Sequence, residues 1–148
     1  MHTPWTTHLL VIANRTVESE EVREAIIGRA AAGPVHVTLV APVSSGTGSE
    51  RERRAATEER VGRAVQQLTE AGVTVDGIVG DSDPMVAVQE AWDPRRFDEV
   101  IVATLPTGAS RWMAADLPRR VERLTGARVT RVVADAGRRL AAMSRPST

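Results

Sequence analysis

Val100-Ile101-Val102-Ala103, entered through Asp98-Glu99 and left through Thr104-Leu105-Pro106, is the stretch whose reading decides the fold. It is apolar without interruption, too short for a helix and rich in β-branched residues, so it reads as a strand covered on both faces. Leu9 to Ala13 has the same character, and Val35 to Val40, Val73 to Val79 and Val129 to Ala134 are three further runs of strand length. The first and fourth runs, with the fewest polar interruptions, are expected to be the most central.

Segments of helical spacing lie between these runs. Val22, Ala25, Ile26 and Ala30 share one face at steps of three and four before Gly33-Pro34 stops the helix. Val61, Ala64, Val65 and Leu68 mark a second helix closed by Gly72, whose first turns, Glu50 to Arg60, are nearly all charged and read as a solvated face. Gly80-Asp81-Ser82-Asp83-Pro84 caps a third, with Met85, Val88 and Trp92 as its buried stripe. A fourth is expected from about Asp116, with Leu117, Val121 and Leu124 facing the core before Gly126. Strict alternation of strand and helix predicts a single-domain α/β protein over residues 8–134, a three-layer α/β/α sandwich around a five-stranded parallel sheet. The segment 41–50 and the tail 135–148 are expected to be poorly ordered.

Composition narrows the chemistry. The 148 residues carry nineteen basic and nineteen acidic side chains, so no net field draws the chain to nucleic acid or to an anionic membrane. All the basic residues are Arg. Without Lys there is no Schiff base and no phosphate-loop lysine, and without Cys no disulfide, thiolate nucleophile or cysteine metal site. The apolar run after Met1–Thr7 is too short for a signal peptide or a membrane span, which predicts a cytoplasmic protein.

In an open α/β sheet a ligand sits beyond the carboxyl ends of the strands, where strand order reverses. That point gathers Ala13, Asn14 and Arg15 after the first strand, Ala41 after the second, and Thr104, Thr107, Gly108, Ser110 and Arg111 after the fourth. The last group offers hydroxyl donors and a guanidinium for an anion, with a helix N-terminus behind it and Arg119 and Arg120 close by. Asp81 and Asp83 read as capping residues, and His2, His8 and His36 have neither metal-pair spacing nor an adjacent nucleophile. No catalytic residue and no metal ligand is assigned.

The five-stranded alternation, the Gly80-Asp81-Ser82-Asp83-Pro84 turn and Asp98-Glu99-Val100-Ile101-Val102-Ala103 together resemble a universal stress protein domain, from Leu9 to Ala134. The resemblance implies a flavodoxin-like fold of the adenine nucleotide alpha hydrolase type, a homodimer through the last strand, and a non-enzymatic role in stress response or regulation. The edge would then comprise Val129, Arg131, Val132 and Val133, because an unpaired apolar strand is a hazard until covered. ATP-binding members carry Gly-x2-Gly-x9-Gly-Ser/Thr after the fourth strand; the corresponding positions here are Thr104, Thr107, Leu117 and Pro118, and none matches. A shift of one residue brings Gly108 onto the second glycine. The acidic residue usual after the first strand is replaced by Asn14 in Asn14-Arg15-Thr16. ATP binding therefore does not carry across with the resemblance, and an ATP- or AMP-binding protein with a rewritten phosphate loop is the second reading.

Overall fold

The structure is a computed structural model that describes residues 6–44, 46–104 and 111–134, the side chains of 15 and 111–116 excepted. Five strands, β1 (Thr7–Ile12), β2 (Val35–Pro42), β3 (Thr74–Gly80), β4 (Glu99–Thr104) and β5 (Arg128–Val133), form one parallel sheet in the order β3-β2-β1-β4-β5. β1 lies at the centre with β2 and β4 on either side. The second strand is as well covered as the fourth, although His36 and Thr38 interrupt its apolar run, because both neighbour the central strand.

Helices α1 (Glu20–Ala32) and α2 (Glu50–Glu70) cover one face of the sheet, and α3 (Pro84–Ala91) and α4 (Arg111–Thr125) the other. The two faces bury separate cores. Leu9, Val11, Val37, Leu39 and Ile101 meet Val22, Ile26, Ala64 and Leu68 on the first. On the second, Leu10, Ile12, Val100 and Val102 meet Met85, Val88, Leu117 and Val121. The alternation of inward side chains along each central strand sends successive residues to opposite layers.

Local signals set the helix ends. Ser19 caps α1, its Oγ accepting from the Val22 amide at 3.2 Å. Ser49 caps α2 at the Ser-x-x-Glu spacing of a capping box, accepting from the Glu52 amide at 3.1 Å and donating to Glu52 Oε1 at 3.2 Å. Asp83 caps α3, with Pro84 at the first helical position and Asp81 Oδ1 holding the Asp83 amide at 2.8 Å. The acidic pair thus serves the turn. Gly72 and Gly126, with φ of +88° and +67°, stand where the chain turns left-handed after α2 and α4.

Three expectations need correcting. α4 begins at Arg111, five residues ahead of Asp116, because Ala114 and Ala115 favour helix and Pro118 is accommodated inside it. Leu124, expected in the buried stripe, is 40% exposed. Its stripe runs out at the margin of the sheet, where no described strand lies beyond β5 to cover it. The segment from Ala41 is also not a loose loop at its start: β2 continues to Pro42, the Val43 amide donates to the Gly80 carbonyl at 3.1 Å, and Val43 and Ser44 are buried. Residue 45 and the tail 135–148 lie outside the described residues.

Candidate functional site

Strand order reverses between β1 and β4: the chain leaves β1 toward β2 and β3, then returns to β4 and β5 on the opposite side. The carboxyl ends of these two strands are therefore adjacent, with Ala13 and Asn14 on one side and Thr104 on the other. Ala13 is buried, and its amide donates to the Val40 carbonyl at 3.0 Å. Ala41 is fully buried in β2. These two residues form packed floor rather than lining.

Asn14 heads a short 3-10 turn, Arg15–Glu18, that leads into α1. Its Oδ1 accepts from the Ser44 hydroxyl at 3.3 Å, tying the end of β1 to the end of β2. Ser44 Oγ in turn accepts from the Arg60 guanidinium, which also reaches Thr57 Oγ1 at 3.3 Å. Thr57 is 1% exposed, donates to the Arg53 carbonyl at 2.9 Å and accepts from the Ser44 amide at 3.3 Å. One turn further along α2, Arg63 grips Glu18 of the 3-10 turn at 2.6 Å. The hydrogen bond and the charge of Glu18 raise the Arg63 pKa above its usual value, so that side chain stays cationic.

Across the switch point, Thr104 is buried at the end of β4, and its Oγ1 accepts from Arg131 Nε at 3.4 Å. Arg131 thus bridges β5 to β4 beside the carboxyl ends. Its neighbours on β5 divide between the layers: Val129 packs on the α3/α4 core and Val132 on the α1/α2 core, while Val133 is 47% exposed. Thr107, Gly108, Ser110 and the side chains of Arg15 and Arg111 lie outside the described residues. Arg119 and Arg120 are exposed on α4, eight residues or more beyond Arg111, which places them about 12 Å along the axis from the helix start. They are not at the helix N-terminus, as its expected start at Asp116 had implied.

The structure brings together Asn14 with Ser44, Thr57 and Arg60, a cluster that sequence reasoning missed. Thr57 and Arg60 sit within the charged first turns of α2, read as a solvated face. The weak signal was Thr57 at four residues before Val61, on the same helix face as the buried stripe.

At the amino ends of the strands lies a separate polar group. His8 and His36 are in register on β1 and β2, their rings stacked with centroids 5.7 Å apart, and His36 Nε2 and Asp76 Oδ2 are 2.8 Å apart. They border an open pocket of about 520 Å³ whose rim includes Ala30, Pro34, Gly72 and Val73. Arg29 crosses this end of the molecule to Glu99 and Thr7, each at 2.9 Å. Among the described residues no group of three or more His, Cys, Asp or Glu is arranged to hold a metal, and no helix is long and apolar enough to cross a membrane. No protein-family model matches the chain, and no curated protein matches it.

Proposed function

We propose that the chain is a cytoplasmic, non-enzymatic regulatory domain of the universal stress protein type that acts as a homodimer through β5. The observation that carries this reading is the sheet edge at β5, beyond which no described strand lies and where Val133 is 47% exposed and Val129 and Val132 are only partly buried. Arg131, itself exposed, reaches Thr104 Oγ1 at 3.4 Å, and Val133 is the exposed apolar residue at the carboxyl end of this edge. The opposite edge, β3, carries Ile78 at 43% exposure but sets the exposed carboxylate of Asp76 two residues before it, a feature that discourages strand pairing. Val133→Asp is expected to convert the dimer to monomer in multi-angle light scattering, whereas Ile78→Asp leaves the mass unchanged. Val133 is the appropriate probe because Val132 packs against the α1/α2 core and a charge there would perturb the fold itself. A dimer that survives Val133→Asp and dissociates with Ile78→Asp would transfer the interface to β3.

A second reading, an adenine-nucleotide binder with a rewritten phosphate loop, is favoured by the adjacent placement of Asn14 and Thr104 at the switch point. Isothermal titration with ATP and AMP, with and without magnesium, separates the two. The regulatory reading expects no heat up to about millimolar nucleotide, and saturable binding near about 1 μM would put the nucleotide reading first.

A further inference from the structure

We propose that Arg60, with Ser44, Asn14 and Thr16, forms a subsite for a phosphate-class oxyanion between α2 and the 3-10 turn at the carboxyl ends of β1 and β2. This subsite shares Asn14 with the nucleotide reading but uses neither Thr104 nor the segment after β4.

The argument starts from charge. Arg29, Arg23 and Arg63 each have a carboxylate partner, in Glu99, Glu20 and Glu18. Arg60 is half-buried, yet no carboxylate among the described residues lies within 4.0 Å of it. A guanidinium withdrawn from water without a counter-ion is costly, and the cost falls when an anion arrives. Two side-chain polar atoms are buried with no hydrogen-bond partner among the described residues: Arg60 Nε and Thr16 Oγ1. Arg60 lies on α2 and Thr16 on the 3-10 turn against which α2 packs, and Thr16 is 2% exposed.

The direction of the hydrogen bonds supplies the specificity. Arg60 donates to Ser44, and Ser44 donates to Asn14 Oδ1. Thr57 spends its proton on the Arg53 carbonyl and accepts from Arg60. Of the acceptors, Thr57 Oγ1 is fully used, while Ser44 Oγ and Asn14 Oδ1 each accept one bond and keep one lone pair. Donor capacity also remains, and it carries the positive charge: Arg60 Nε–H, the Asn14 side-chain amide and the Thr16 hydroxyl. An excess of donors around one fixed positive charge suits a tetrahedral oxyanion and repels a cation. Glu18, the nearest acid on the 3-10 turn, is bound by Arg63, which limits its repulsion of an incoming anion.

The test is a titration of the full chain with inorganic phosphate, and separately with AMP, followed by ¹H–¹⁵N spectra that include the arginine Nε–H signals. Saturable shifts are expected at Arg60 Nε and at the Ser44 and Thr57 amides, with affinity reduced about tenfold or more in Arg60→Met and less in Arg60→Lys, which keeps the charge and loses the fork. Ser44→Ala, which leaves α2 untouched, provides a second variant and is expected to weaken binding about threefold. Thermal melts separate a ligand site from a structural brace. A site held for an anion predicts that Arg60→Met melts no lower than wild type without phosphate and is no longer stabilised by it. Shifts with phosphate and AMP alike make the phosphate group the ligand; shifts with phosphate alone make it the free ion. No saturable shift with either, or equal affinity in wild type and Arg60→Met, overturns the assignment.

Discussion

Gly77→Val is expected to destabilise the fold by about 3 kcal/mol and to lower the melting temperature by about 10 °C. A Cβ placed on Gly77 would lie 2.4 Å from Val61 Cγ1 and 2.9 Å from Val65 Cγ2, far inside contact distance. Both neighbours are valines within α2, whose side chains have essentially one χ1 rotamer in a helix, so neither swings aside cheaply. The helix must lift from β3 or the strand must bend away. Gly77→Ala makes the same clash with less bulk and should cost about 1–2 kcal/mol. Val61→Ala removes the nearer methyl groups, so the pair Gly77→Ala and Val61→Ala should show a favourable coupling of about 1 kcal/mol in a double-mutant cycle. A Gly77→Val protein melting within about 2 °C of wild type would show that α2 does not rest on β3 at this point. The prediction also bears on the polar corner: Val61 follows Arg60 directly, so lifting α2 here moves Arg60 away from Ser44.

How far the sequence reveals this molecule depends on how local each cause is. Leu9 to Ala13 and Val100 to Ala103 announced buried strands because continuous coverage leaves a continuous apolar run, and the structure buries every residue of both. The cap at Asp83 is decided within three residues and was legible for the same reason, whereas Ser49, read as part of a loose segment, caps α2. The pairing of His8 with His36 depends on the register of β1 against β2, which no local pattern states. The cluster of Asn14, Ser44, Thr57 and Arg60 is harder still to read. It joins residues up to 46 positions apart, and Arg60 is indistinguishable by type from the solvated charges around it. The start of α4, expected at about Asp116, lies at Arg111, because Ala114 and Ala115 favour helix and Pro118 is accommodated inside it.

Ile26→Ala and Ile27→Ala, neighbours of identical chemistry, should differ in cost by about 3 kcal/mol in urea unfolding at unchanged m-value. Ile26 is 0% exposed and packs with Leu9, Val11, Val22 and Ile101 beneath α1, whereas Ile27 is 37% exposed on the same helix. Truncating Ile26 removes three carbons from a close-packed layer and leaves a void that the strands cannot collapse to fill, at a cost of about 3–4 kcal/mol. Truncating Ile27 loses little buried area, and Ala has the higher helix propensity, so the net change should lie within about 0.5 kcal/mol of zero. The contrast isolates the rotation of α1 about its own axis from everything else that a core substitution changes. That rotation is what the spacing of Val22, Ala25, Ile26 and Ala30 specifies, and it seats α1 on the sheet directly after the 3-10 turn that carries Thr16 and Glu18. Equal costs at the two positions would mean that α1 presents a different face to the sheet, and the packing that fixes Thr16 and Glu18 beside α2 would lose its footing.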